Sequence, residues 1–159
     1  MNAGRILVVD DDESSRFTLH EYFTSVGYEV EEAGSGEEAL KKFAPGKFDC
    51  VISDLYMPKM DGLELLKKIR RQDSHVSFLM VTGYPKIDSA VSAMKEGAYD
   101  YITKPFHMDD IQLRVERALH LKKTEESLKR GKILLLSLIV LMPILISLGI
   151  ILGIFWKGM

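Results

Sequence analysis

The chain has 159 residues, 47% of them hydrophobic, which suits one compact domain with a short appendage and leaves little room for two full domains. Its 21 basic and 23 acidic residues give a formal net charge of -2, a balance that argues against a nucleic-acid binder, which is usually basic. The single cysteine, Cys50, excludes an internal disulfide and sits in an apolar run, where a small core residue belongs.

The first residues lead directly into the short apolar run 6–9, which ends at three aspartates and is no signal-peptide core. The expectation is that the domain stays in the compartment where it is made. Residues 6–9 read as a strand buried on both faces. Residues 14–26 carry Phe17, Leu19, Tyr22, Phe23 and Val26 at roughly helical spacing, with Ser14 or Ser15 as the cap and Gly27 at the end. Residues 28–31 form a weaker strand. A helix follows over 35–43, with Ala39, Leu40 and Phe43 inward. The stretch 49–53 contains the next buried strand, and 62–71 is a helix with Leu63, Leu66 and Ile69 or Arg70 along it. The fourth strand is 76–81, the next helix 87–96 with Gly97 at its C-terminal end, and the fifth strand 99–102. The last helix of the domain runs from 108 to about 121.

Five alternations of strand and helix predict an α/β fold: a five-stranded parallel sheet with helices on both faces, joined by right-handed crossovers. Working sites of such sheets lie at the carboxyl ends of the strands. There the sequence places Asp10, Asp11 and Asp12 after the first strand, Asp54 after the third, Thr82 after the fourth, and Lys104 with Pro105 after the fifth. Carboxylates crowded together repel one another, and a hard divalent cation relieves that repulsion. Oxygen-only ligands point to Mg2+ or Mn2+ with several waters retained. A lysine ammonium and a threonine hydroxyl beside them suit the equatorial oxygens of a phosphoryl group. A carboxylate is ionised at neutral pH and is a usable nucleophile, so an aspartyl phosphate can form without a general base.

Four segments carry a resemblance: Val8-Val9-Asp10-Asp11; Asp54-Leu55-Tyr56-Met57-Pro58-Lys59-Met60-Asp61-Gly62; Val81-Thr82-Gly83-Tyr84; and Tyr101-Ile102-Thr103-Lys104-Pro105-Phe106. In this order, each at a predicted strand end, they resemble the receiver domain of two-component response regulators. The resemblance covers residues 1–122 and implies the flavodoxin-like receiver fold. It implies that Asp54 is the phosphoacceptor and that Asp10, Asp11, Asp54 and the backbone carbonyl of Tyr56 hold the metal, Asp11 directly and Asp10 mostly through water. It makes Thr82 the switch hydroxyl, Tyr101 the aromatic that turns inward behind it and Lys104 the phosphate-pairing lysine, with a cis bond to Pro105. Such a protein is not an enzyme in the ordinary sense: it catalyses its own phosphotransfer and autodephosphorylation. Its expected partners are a histidine kinase or a histidine phosphotransfer protein and an unknown downstream protein.

Plainer readings apply elsewhere. Asp12 is a solvated residue near a helix start, where negative charge is favourable. Asp61-Gly62 is turn and cap chemistry. His20, His75, His107 and His120 have no ligand spacing.

Residues 133–156 contain no charged side chain. As a helix rising about 1.5 Å per residue, this stretch outreaches a hydrocarbon core of about 30 Å, and it is read as a transmembrane helix. Pro143 is tolerated there with a kink, and Trp156 sits where an interfacial aromatic belongs. The basic linker 123–132 outweighs the tail 157–159 in positive charge, so the receiver is expected on the cytoplasmic side. Gly149 and Gly153 have the small-xxx-small spacing that leaves a homodimer open. No helix-turn-helix pattern follows Leu121, and no nucleic-acid output is expected. The leading expectation is a membrane-tethered, single-domain receiver that switches its surface for partner binding. A phosphate sink or phosphorelay intermediate is the alternative, told apart by a phosphorylated lifetime of seconds rather than hours. A docking adaptor that is never phosphorylated is the alternative from another class.

Overall fold

The structure, a computed structural model, describes residues 4–121, 128, 136–139 and 141–142. The chain divides into two compact units, Met1–Lys122 and Lys123–Met159. In the second unit Leu128, residues 136–139 and residues 141–142 are helical and exposed. The predicted transmembrane segment 133–156, its linker and its tail otherwise lie outside the described residues. Among the described residues, no helix is long and apolar enough to cross a membrane.

The first unit begins with β1 (Arg5–Val9), α1 (Glu13–Ser25), β2 (Glu29–Ala33), α2 (Gly36–Lys42) and β3 (Cys50–Asp54). It continues with α3 (Gly62–Gln72), β4 (Ser77–Thr82), α4 (Ile87–Lys95), β5 (Asp100–Thr103) and α5 (residues 108–121). The sheet is parallel throughout, in the order β2-β1-β3-β4-β5. Strands β3 and β4 are buried along their whole length, as inner strands covered on both faces must be.

Alternation along each strand divides the core in two. Leu7, Val9, Val51, Phe78 and Met80 pack with Ala39, Phe43, Leu65, Leu66 and Ile69 under α2 and α3. Ile6, Val8, Cys50, Ile52, Leu79, Val81 and Ile102 pack with Leu19, Phe23, Ile111, Val115 and Ala118 under α1 and α5. The edge strand β2 carries glutamates that meet cations at its rim: Glu29 with Arg5 at 2.8 Å, Glu31 with Lys47 at 2.9 Å and Glu32 with Arg16 at 3.2 Å.

Several local expectations are corrected. Asp12, not Ser14 or Ser15, caps α1, accepting from the backbone N–H groups of both serines. Phe17 is 59% exposed and lies off the buried stripe, which holds Leu19 and Phe23. In α3 Leu65 joins Leu66 and Ile69 in the buried set, with Leu63 partly buried against the same cluster. Arg70 instead spans to the Val76 and Gly97 carbonyls, at 2.7 and 2.8 Å. Strand β2 begins one residue later than the hydrophobic pattern suggested, because the Tyr28 N–H donates back to the Phe23 carbonyl of α1 at 3.0 Å and pairing with β1 starts at Glu29.

The turn between β3 and α3 is set by sterics. A Cβ on Gly62 would lie 2.3 Å from the Asp54 carbonyl oxygen, a separation no real side chain takes, so only glycine lets α3 start against the end of β3. Asp61 caps that helix, its Oδ1 accepting from the Glu64 N–H at 2.7 Å.

Candidate functional site

The ends of β1, β3, β4 and β5 lie side by side: Val9 pairs with Ser53, Asp54 with Val81, and Thr82 with Thr103. The residues at and just beyond these ends form the pocket. Asp10 is 3% exposed and Asp54 9%, while Thr82 is fully buried. Asp11 lies at the exposed rim.

One lysine joins the two buried carboxylates. Lys104 Nζ lies 2.7 Å from Asp10 Oδ2 and 3.1 Å from Asp54 Oδ1. The peptide bond from Lys104 to Pro105 is cis, and the Lys104 N–H donates to the Thr82 carbonyl at 2.8 Å. The second oxygen of Asp54 accepts from the Tyr56 N–H at 2.8 Å, and Thr82 Oγ1 accepts from the Tyr84 N–H at 3.1 Å. The rings of Tyr56 and Tyr84 meet edge to face with centroids 6.3 Å apart. Tyr101 turns its hydroxyl to Ser89 Oγ of α4, at 2.8 Å, and Ser89 also bonds the Lys86 carbonyl. Asp10, Asp54 and Lys104 are thus in direct contact. Thr82 stands beside them on the neighbouring strand, and the Tyr101 hydroxyl is engaged with α4.

The electrostatics are those of a charge excess. Burial pushes the Asp54 carboxyl above the ordinary carboxylate value and the Asp10 charge adds to this, while Lys104 and the Tyr56 N–H oppose it without cancelling it. Burial works to lower the Lys104 ammonium, but Asp10 and Asp54 outweigh it and hold it above the ordinary lysine value. Two buried carboxylates against one ammonium leave a net negative pocket, which favours a further cation.

The donor set fits a small hard ion. Among the described residues no three His, Cys, Asp or Glu side chains gather into a cage. Mg2+ does not require one, since it keeps most of its water and takes one or two carboxylates. Asp11 at the rim, Asp54 and the Tyr56 backbone are the groups that would hold it, with Asp10 reaching it through water.

Sequence reasoning missed two partners of Asp10. Ser15 Oγ donates to Asp10 Oδ2 at 2.8 Å, and Arg16 Nη1 donates to the Asp10 carbonyl at 2.7 Å. Both lie in the first turns of α1, and their position five and six residues beyond Asp10 was the available signal. Ser89 was missed because its link to Tyr101 joins α4 to β5, a contact that no pattern within α4 announces.

Comparison with known proteins agrees with this geometry. A family model described as the response regulator receiver domain matches residues 6–116. The regulatory protein AtoC of Escherichia coli is 38% identical over 126 residues, covering 79% of this chain and 27% of AtoC. The DNA-binding transcriptional regulator NtrC of Escherichia coli is 39% identical over 119 residues, covering 75% of this chain and 25% of NtrC. The chain therefore spans about a quarter of the length of these curated relatives. Among solved structures, a CheY-like response regulator receiver domain protein from Methanospirillum hungatei is 33% identical with a TM-score of 0.74, covering 76% of this chain and 97% of that one. A receiver domain protein from Clostridium thermocellum is 33% identical with a TM-score of 0.71, with the same coverage.

Proposed function

The chain belongs to the response regulator receiver domain family, and from that premise we propose that it is a phosphoacceptor switch in which Asp54 takes a phosphoryl group from a histidine kinase or a histidine phosphotransfer protein. The observation that carries this reading is the sharing of one ammonium, Lys104, by the buried carboxylates of Asp10 and Asp54. An Asp54 oxygen attacks phosphorus, a P–O bond forms, and the P–N bond to the donor imidazole breaks with its electron pair leaving on nitrogen. Lys104 sits where it can follow the charge from the carboxylate to the phosphoryl oxygens, and Thr82 offers a hydroxyl on the adjacent strand end. A bound Mg2+ or Mn2+ supplies charge neutralisation at those oxygens. Tyr101 then has reason to leave Ser89 and move toward Thr82, which frees the first turn of α4. That turn has no side-chain cap at Lys86, so its first N–H groups lack the support a capping side chain would give. The surface from residue 87 to residue 106 is the one presented to a downstream protein.

The edge-to-face pair of Tyr56 and Tyr84, two residues beyond Asp54 and Thr82, supports the switch over the phosphate sink, since rings at those positions can shield a phosphoryl group from water. The docking adaptor has no observation in its favour. Incubated with acetyl phosphate and Mg2+, the full chain is expected to gain one phosphoryl group, and a chelator is expected to prevent it. No gain in a folded chain would revive the docking adaptor.

The reading includes a membrane tether through residues 133–156, supported by the absence of charge across that stretch and by Lys129, Arg130 and Lys132 just before it. The receiver then faces the cytoplasm, and a homodimer through the same helix stays open. The full chain is expected to sediment with lipid vesicles, whereas deletion of 133–156 releases it. Vesicle binding that survives the deletion would remove the tether from the proposal. DNA binding is in the name of NtrC, a protein matched over 25% of its length. With a net charge of -2, nucleic acid is left out of the proposal.

A further inference from the structure

Among the described residues, Ser15 is the neutral side chain that hydrogen-bonds the Asp10 carboxylate. It sits in the first turn of α1, whose start is fixed by Asp12: the Asp12 Oδ2 accepts from the Ser15 N–H at 3.1 Å. That cap sets where Ser15 points, and its hydroxyl donates to Asp10 Oδ2 at 2.8 Å. Lys104 Nζ approaches the same oxygen at 2.7 Å, and the Asp12 N–H donates to the other oxygen, Asp10 Oδ1, at 3.0 Å. Both oxygens of a carboxylate that is only 3% exposed are therefore held from defined directions. Asp10 cannot rotate about its side chain without losing a hydrogen bond to a nearly buried oxygen.

From this geometry we infer that Ser15 is a positioning residue for the divalent cation of the phosphorylation site: it fixes the Asp10 carboxylate in the orientation from which it holds a water of that cation, and by sharing Oδ2 with Lys104 it keeps the ammonium from closing wholly on Asp10. The inference rests on the reading of the pocket as a phosphoacceptor site. Without the hydroxyl, Oδ2 is left to Lys104. The ammonium then shifts toward Asp10, and the carboxylate is no longer locked for the cation's water. Partners of this outlying kind change metal affinity by about 10–100-fold when removed. Ser14 supplies the control, since it lies in the same turn, is exposed, and its N–H bonds Asp12 and not Asp10.

The test measures Mg2+ binding to the full chain by titration calorimetry in mild detergent, for the wild type and for Ser15→Ala, Ser15→Thr and Ser14→Ala. Ser15→Ala is expected to weaken Mg2+ binding about tenfold. Ser15→Thr, which restores a hydroxyl, and Ser14→Ala are expected to match the wild type. Phosphorylation of Ser15→Ala by acetyl phosphate should return to the wild-type rate when Mg2+ is raised to saturation, which a merely damaged fold would not do. Equal Mg2+ affinity in Ser15→Ala and Ser14→Ala would overturn the inference, as would failure of Ser15→Thr to recover it. A wild-type chain that binds no Mg2+ would instead overturn the phosphoacceptor reading itself.

Discussion

Lys104→Met is expected to unfold about 2–4 kcal/mol more easily than the wild type at neutral pH in the absence of divalent cations. The substitution keeps the length and apolar stem of the side chain but removes the ammonium. It leaves Asp10 and Asp54, 3% and 9% exposed, facing each other without a counter-charge. Breaking a fully buried pair costs about 3–5 kcal/mol, and the Lys104 side chain is 26% exposed, so solvent screening brings the figure down. Urea unfolding measures it, with an unchanged m-value expected because the fold is the same. Millimolar Mg2+ should recover more stability in Lys104→Met than in the wild type, because the ion takes the place of the lost charge. A variant as stable as the wild type, or one indifferent to Mg2+, would show that the carboxylates do not depend on the lysine.

Asp54→Asn should lose phosphoryl labelling completely and yet melt at a higher temperature than the wild type at pH 7. Lys104 and the Tyr56 N–H bond different oxygens of Asp54, so the single amide oxygen of asparagine keeps one of the two bonds. The larger difference is the charge. Burial, with the Asp10 charge added, holds the Asp54 carboxyl above its ordinary value of 3.8 in the folded state. A group raised on folding stabilises the fold fully below its unfolded value, and that contribution is lost as pH rises through the folded value. At pH 7 the ionised carboxylate is therefore a cost that asparagine removes. The advantage of Asp54→Asn should shrink as pH falls through the raised folded value toward 3.8, because the folded wild-type carboxyl takes up its proton above 3.8. Thermal melts across that interval give the comparison, and a variant that melts below the wild type at pH 7 would reverse the sign of the effect.

How much of this was readable beforehand depends on the range of the contact. The sheet was legible because the inner strands are short unbroken apolar runs such as Ile6 to Val9, and because each ends in a polar residue that the next turn must use. Asp10, Asp54, Thr82 and Lys104 were legible for the same reason: parallel topology brings every strand's carboxyl end to one rim. Boundaries at the edge were less so. The residues of β2 are mostly glutamates, and their partners Arg5, Arg16 and Lys47 come from elsewhere in the chain. The helix caps misled because Asp, Ser and Thr are all good caps, and Asp12 next to Ser14 and Ser15 offers three candidates in one turn. Assigning the cap to a serine also hid the Ser15 hydroxyl's contact with Asp10. Arg70 read as an alternative to Ile69 along the helix, and its guanidinium instead bonds the Val76 carbonyl before β4 and the Gly97 carbonyl before β5.

The pocket as a whole stands on Asp54 being the atom-level acceptor, and locating the phosphoryl group tests that most directly. The full chain is phosphorylated with acetyl phosphate and Mg2+, digested at low pH to preserve the acyl phosphate, and the modified residue identified by fragment mass spectrometry. The expected result is a single phosphoryl group on Asp54. A phosphoryl group on Asp10, on Asp11 or on one of the histidines, with Asp54 unmodified, would contradict it.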